Sequence, residues 1–269
     1  MNESLTIALW NVEWAKPGSA RGSFFFRRLC ELSTPVICLT EGYSDLLPRG
    51  GHVITSEPDY GYPLQAGRRK VLLWSQEPWR DIETLKASPL PSGRFVAGTT
   101  ETPLGAARFV GVCIPWRDAH VRTGRRDRQP WQDHLSYLQH LSAVLSQRDT
   151  TLPNILLGDF NQRVPRCRQP ESVFTALTNA LSCGFELATA GHIPGATESS
   201  IDHLAATSTL RPLCVEHLSR YDANGVSMSD HFGLRVVLQH TETANKSLQQ
   251  TGAALRFFGV QRILGGPGC

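Results

Sequence analysis

Asn154-Ile155-Leu156-Leu157-Gly158-Asp159-Phe160-Asn161 is the stretch that decides how this chain is read. Three consecutive branched apolar residues behave as a buried strand, and Gly-Asp-Phe-Asn ends it. An aspartate at the mouth of such a strand can take a proton from water. Asn161, two residues on, shares its face and can orient that water or donate to a developing oxyanion. An Asx turn capping a strand is the plainer explanation. The apolar run ahead of Asp159 favours chemistry.

Outward from this segment the chain alternates short apolar runs with a few helical stretches. Leu5–Trp10, Val36–Leu39, Val71–Trp74, Arg94–Thr99 and Ala107–Ile114 read as strands, each bounded by Gly, Pro or Ser. Ser200–Ala205 and Phe232–Leu238 read as closing strands. Helices are expected over Phe24–Leu32, Pro130–Gln147 and Glu171–Leu181. In the second, Trp131, Leu135, Leu138, Leu141 and Leu145 share a face. Strict strand–helix alternation is absent. The pattern predicts an α/β fold with two packed sheets and helices outside them, in one domain over residues 4–240. Residues 241–269 lack any period and are expected to form a poorly ordered tail.

Composition sets outer limits. With 269 residues, 41% of them hydrophobic, the chain can build one large core. A net charge of +3 permits an anionic partner without requiring one. The seven cysteines form no Cys-x-x-Cys pair, which argues against a zinc knuckle or a disulfide framework. There is no membrane segment and no signal-peptide pattern, so a cytoplasmic protein is expected. Nothing calls for an obligate protein partner.

Four other motifs carry chemistry. Asn11 and Glu13, in Trp10-Asn-Val-Glu-Trp14, would point to one side of an extended chain and could hold a phosphate oxygen and a hard cation. Glu41 ends the second strand before Gly42. Mg²⁺ often takes only one or two carboxylates. Asp202, in Ser200-Ile-Asp-His203, and His231, in Ser229-Asp-His-Phe232, could pair so that a cationic imidazolium faces phosphate. Asp230 could join a metal site, whereas His203 would point away from Asp202 and reads as structural.

Taken in order over residues 10–233, these five motifs resemble the endonuclease/exonuclease/phosphatase superfamily. That group includes AP endonucleases, pancreatic-type deoxyribonucleases, inositol polyphosphate 5-phosphatases and neutral sphingomyelinases. The resemblance implies a four-layer sandwich, two mixed β-sheets flanked by helices, with a site at one edge holding Mg²⁺ or Mn²⁺. It implies Glu41 as principal metal ligand beside Glu13 and Asn11, with Asp230 at a second metal position. It further implies Asp159 as the activator of water, Asn161 and Asn11 as contacts to phosphate, and His231 as a phosphate-facing imidazole oriented by Asp202. Two positions depart from the family pattern. Glu13 stands where Asp is usual, and Val112-Cys-Ile-Pro-Trp116 lacks the His or Tyr often found ahead of the proline. His120 or Arg117 could replace that donor.

The substrate is argued from the arginines. Arg117, Arg122, Arg125, Arg126 and Arg128 follow Pro115, and Arg163, Arg166 and Arg168 follow Asn161. Guanidinium forks suit phosphate oxygens and nucleic-acid backbones. Trp116, Trp131 and Trp79 could stack bases, although Trp131 on a helix face reads as core. The expectation is a nuclease on DNA or RNA, with Arg117, His120 and Arg163 touching substrate. A phosphatase or phosphodiesterase on a small or lipid-linked phosphate is the alternative. A non-catalytic nucleic-acid-binding module fits less well with intact Asp159, Asn161, Asp202 and His231.

Overall fold

The computed structural model describes residues 3–85 and 90–241. From residue 242 on, the expected tail lies outside the described residues. Twelve strands in the described chain run β1 (Leu5–Asn11), β2 (Val36–Gly42), β3 (His52–Thr55), β4 (Arg69–Ser75), β5 (Arg80–Glu83), β6 (Phe95–Thr100), β7 (Ala107–Cys113), β8 (Asn154–Asp159), β9 (Phe185–Leu187), β10 (Asp202–Thr207), β11 (Leu210–Leu218) and β12 (Gly233–His240). Helices α1 (Ala20–Leu32), α2 (Gln132–Ser146) and α3 (Glu171–Leu181) lie between them. Two six-stranded sheets result, with orders β11-β12-β1-β2-β4-β3 and β5-β6-β7-β8-β10-β9. Each has one central parallel pair, β1 with β2 and β7 with β8, and antiparallel neighbours elsewhere.

The period of two along each strand sorts side chains into layers. Leu5, Ile7 and Leu9 of β1 meet Phe109, Ile155, Leu157 and Leu204 between the sheets. Their alternates Ala8 and Trp10 pack outward on Phe24, Phe25 and Leu29 of α1. On the second sheet Val110, Val112 and Leu156 face Tyr137, Leu138 and Leu141 of α2 and Leu177 and Leu181 of α3. The order is therefore helix, sheet, sheet, helices, which is the four-layer sandwich expected. Each fully buried Leu, Ile or Phe contributes roughly 1.5–3 kcal/mol by leaving water.

The sequence pattern misses β3, β5, β9 and β11. All four are sheet edges. Edge strands carry charge and irregularity without penalty, because one side of their ladder is free. β5 reads Arg-Asp-Ile-Glu, and β11 contains Pro212 with a register shift beside it. α1 also begins earlier than its apolar spacing suggests. Ser19 caps it, its hydroxyl accepting from Gly22 N–H at 3.1 Å.

Two local constraints hold the second sheet in place. Gly158 has φ 131°, and a side chain there would drive a carbon into the carbonyl oxygen of Val112 on β7. Only glycine lets β8 approach β7 at the point where Asp159 leaves the sheet. Behind them His134 is fully buried. Its Nδ1 lies 2.7 Å from Pro115 O, and its Nε2 accepts from Gln162 Nε2 at 2.8 Å. The ring is thus neutral with Nδ1 protonated. Burial first of all depresses its pKa to about 4, against the bond to Pro115 O, which acts to raise it.

Gly158→Ala should therefore destabilise the protein by on the order of 3 kcal/mol, through overpacking and an unfavourable φ, as read by chemical denaturation. His134 gives a pH dependence. Its folded pKa lies below its unfolded value, so its contribution is complete above pH 6.5 and drains away as pH falls towards 4. The loss is on the order of 3 kcal/mol. Denaturation midpoints measured across that window should fall, and His134→Asn, which keeps a donor towards Pro115, should flatten the slope.

Candidate active site

The parallel pairs decide where the polar residues go. β1, β2 and β8 all end at one edge of the sandwich, delivering Asn11, Glu41 and Asp159. Antiparallel neighbours begin at the same edge. β10 opens with Asp202, directly opposite Asp159, and β12 begins two residues after His231. The same edge receives Lys70 from β4, Cys113 from β7 and Arg94 from just ahead of β6. These groups line a cleft of about 600 Å³, except Asp202, which lies behind His231.

Asp159 is 2% exposed. Its Oδ2 accepts from Asn11 Nδ2 at 3.1 Å and Asn161 Nδ2 at 2.9 Å, and its Oδ1 accepts from Asn161 N–H at 2.8 Å. Asn161 reaches this position in the left-handed region, φ 54°, which asparagine tolerates. Burial above all pushes the Asp159 carboxyl up to about 7. Asp202 adds to the rise, and His231 opposes it. His231 Nδ1 lies 2.6 Å from Asp202 Oδ2. Burial disfavours the charge on His231, but Asp202, with Asp159 and Asp230, outweighs it and raises the imidazole to about 10. Ser229 fixes the loop, its hydroxyl donating to Asn11 O at 2.9 Å and accepting from His231 N–H at 3.1 Å.

Several expected residues stand elsewhere. β1 stops at Asn11, and Glu13 adopts φ 46°, so the extended alternation that would align the two is broken. Glu13 instead pairs with Arg21 at 2.8 Å and does not line the cleft. Asn11 lines the cleft, with Oδ1 accepting from Glu13 N–H at 2.9 Å. Asn161 lines the cleft, with Nδ2 engaged by Asp159 Oδ2 and by Ile114 O, both at 2.9 Å.

The arginine-rich stretch folds onto itself. Arg128 and Arg125 reach Asp133, at 2.7 and 3.6 Å, and Arg117 lies 3.7 Å from Asp118. His120 is buried, stacked on Tyr62 at 4.3 Å, with Nδ1 accepting from Arg125 N–H. Burial and then Arg125 lower its pKa. It pins the loop and does not replace the donor missing at Cys113. Arg163 pairs with Glu198 at 3.4 Å beside the outer face of Asp202. Trp79 packs edge-on against Phe109, and Trp131 sits half-buried at the start of α2. Of the three tryptophans only Trp116, 44% exposed, lines the cleft.

Other residues form the cleft wall instead. Trp14 stacks on Tyr60 at 5.6 Å, with Arg68 4.6 Å above the indole, and Tyr62 continues the row. Lys70 bonds Glu41 and lies 5.0 Å from the Trp14 ring. A lysine at the head of the apolar run Val71–Trp74, and the alternation Tyr60-Gly-Tyr62, were the available signals.

A divalent cation finds suitable donors here. Glu41 faces the cleft with only one oxygen bonded to Lys70, and Asp230 is 67% exposed at the rim. Glu41 holds φ 53°, an uncommon conformation for a side chain other than glycine, as strand-end functional groups often do. Asp159, Asp202 and His231 bring ligand atoms within 4.8 Å of one another. With His231 protonated, only their carboxylates can act as donors, and Asp202 Oδ1 is buried without a partner. An all-oxygen set fits Mg²⁺ or Mn²⁺.

Known proteins share this fold. Among solved structures the chain is similar to an AP endonuclease from Archaeoglobus fulgidus, with TM-score 0.59 and 18% identity over 86% of this chain and 98% of that one. It is similar to a single-substitution variant of the 3′ phosphatase NExo from Neisseria bound to product DNA hairpin, with TM-score 0.61 and 18% identity over 86% and 98%. An endonuclease/exonuclease/phosphatase from Beutenbergia cavernae gives TM-score 0.62 and 16% identity over 88% and 72%. At these identities the likeness shows the fold. No curated protein sequence matches the chain. The sequence model of the Endonuclease/Exonuclease/phosphatase family matches residues 8–231. The chain belongs to that family of phosphoesterases, which includes nucleases and phosphatases.

Proposed function

We propose that this protein hydrolyses phosphodiester bonds in nucleic acid, with Mg²⁺ or Mn²⁺ held by Glu41 and, at the rim, Asp230. One observation carries the reading: a near-neutral buried carboxyl, Asp159, and a charged imidazole, His231, share one cleft. Groups pushed towards opposite protonation tasks are the mark of acid–base and charge-stabilising work.

Asp159 is the base. Burial raises its pKa, which makes its carboxylate a stronger acceptor for a proton of the attacking water. Asn11 and Asn161 hold its carboxylate by three hydrogen bonds and fix its direction. In this reading their role is orientation of the base. Asp202 keeps His231 protonated and turns its Nε2–H outward to a phosphoryl oxygen, where positive charge stabilises the developing negative charge. A bound Mg²⁺ or Mn²⁺ would supply Lewis-acid polarisation of the phosphoryl group. Trp116, exposed where it lines the cleft, offers a ring face to a base, while Trp14, Tyr60 and Tyr62 stack into an aromatic wall with Arg68 over the indole.

A phosphomonoesterase reading draws support from one fact. In the basic stretch 117–128, Arg117 pairs with Asp118, and Arg125 and Arg128 pair with Asp133 of α2, which shortens the surface available to a long polyanion.

A panel of single-stranded and duplex DNA, RNA, inositol phosphates and a generic phosphodiester, each in Mg²⁺ and in EDTA, separates these. Nucleic acid should be cut in Mg²⁺ and spared in EDTA. Turnover confined to small phosphates, or undiminished in EDTA, would overturn the nuclease or the metal assignment respectively. Asp159→Asn should lower kcat by about 10²–10⁴-fold, the usual contribution of a positioned base, while the fold is retained by circular dichroism. An unchanged kcat would remove Asp159 from that role.

A further inference from the structure

Arg94 is 2% exposed and yet lines the cleft. Its Nη1 donates to Cys113 O at 3.3 Å. Among the described residues its guanidinium has no carboxylate within ion-pair distance. In this it differs from Lys70 of the same cleft, which has Glu41, and from Arg68, whose guanidinium is taken up by the Tyr43 hydroxyl at 3.1 Å and the Trp14 ring. A buried positive charge without an acidic partner is costly, and a guanidinium carries five donors, which one bond to a carbonyl does not exhaust. Such a group is retained where an anion arrives from outside.

Its surroundings are built to hold it. Arg94 O accepts from Cys113 N–H at 3.0 Å and from the Tyr137 hydroxyl at 2.8 Å, so its backbone is fixed to β7 and α2. Cys113, beside it, lies 4.0 Å from Asp159 Oδ2. Burial foremost pushes that thiol up to about 12, which keeps it a neutral, compact neighbour. Cys113 and Arg94 line the same cleft, so the guanidinium and this short side chain share one wall.

We propose that Arg94 is a substrate-binding residue that grips a non-bridging oxygen of the phosphoryl group across Cys113, in place of a donor from β7 itself. This rests on the phosphoester reading above, with the ligand a phosphate mono- or diester.

The test is binding of inorganic phosphate by calorimetry, in Mg²⁺ and again in EDTA, to the wild-type protein, Arg94→Met and Arg94→Lys. Arg94→Met should weaken phosphate binding roughly tenfold or more and raise KM more than it lowers kcat. Its thermal midpoint should hold or rise, because a buried unpaired charge is gone. Arg94→Lys should recover part of the binding. A purely structural arginine would give the reverse: a lowered midpoint with phosphate affinity unchanged. That result overturns the proposal, as does a wild-type protein that binds phosphate in neither buffer. If no nucleic acid is cut but Arg94→Met still loses phosphate, the nuclease reading fails and the anion site stands.

Discussion

Between two sheets pressed face to face there is room for apolar side chains and little else. Leu5, Ile7 and Leu9 on one side and Ile155, Leu157 and Leu204 on the other fill that space. A charge placed among them would lose its hydration without compensation. Polar groups carried by the same strands therefore collect where the strands end. The parallel pairing of β1 with β2 and β7 with β8 makes those ends coincide. Without that pairing Asn11 and Glu41 would lie at opposite rims, and so would Cys113 and Asp159.

Position at the rim also sets the electrostatics. Asp159 is deep enough for burial to resist its ionisation, and it is bonded by amides that carry no charge. His231 has lost nearly as much water but has gained Asp202 at 2.6 Å. The two groups lie in similar surroundings and titrate in different ranges, and the difference comes from the partner each was given.

Much of this was legible from residue patterns. The core strands were visible because both their faces are buried, which leaves continuous apolar runs such as Ile155-Leu-Leu157. The four edge strands were not, since half of their ladder meets solvent and their side chains have less need to be apolar. At the site, Asp159, Asn161, Asp202 and His231 announced themselves by sitting at the ends of apolar runs. The cleft wall did not. Trp14, Tyr60, Tyr62 and Arg68 come from connecting loops, whose shape no period encodes. The arginine stretch misled because a count of charges says nothing of their partners. Asp133, on the following helix, takes up two of those arginines. Glu13 misled for a simpler reason: the strand ended two residues too soon.

The contact between Trp10 and the His231 loop has a wider meaning. The Trp10 ring lies edge-on to Phe24 and Phe25 of α1, its indole N–H holds His231 O at 3.1 Å, and Gly233 lies flat against it with no room for a side chain. One ring thus joins the solvent-side helix layer to the backbone of the imidazole. The outer helix is a buttress, and wear in it would be felt at the cleft. A change in how α1 packs on Trp10 would therefore shift the backbone that carries the imidazole even with every polar residue of the rim in place.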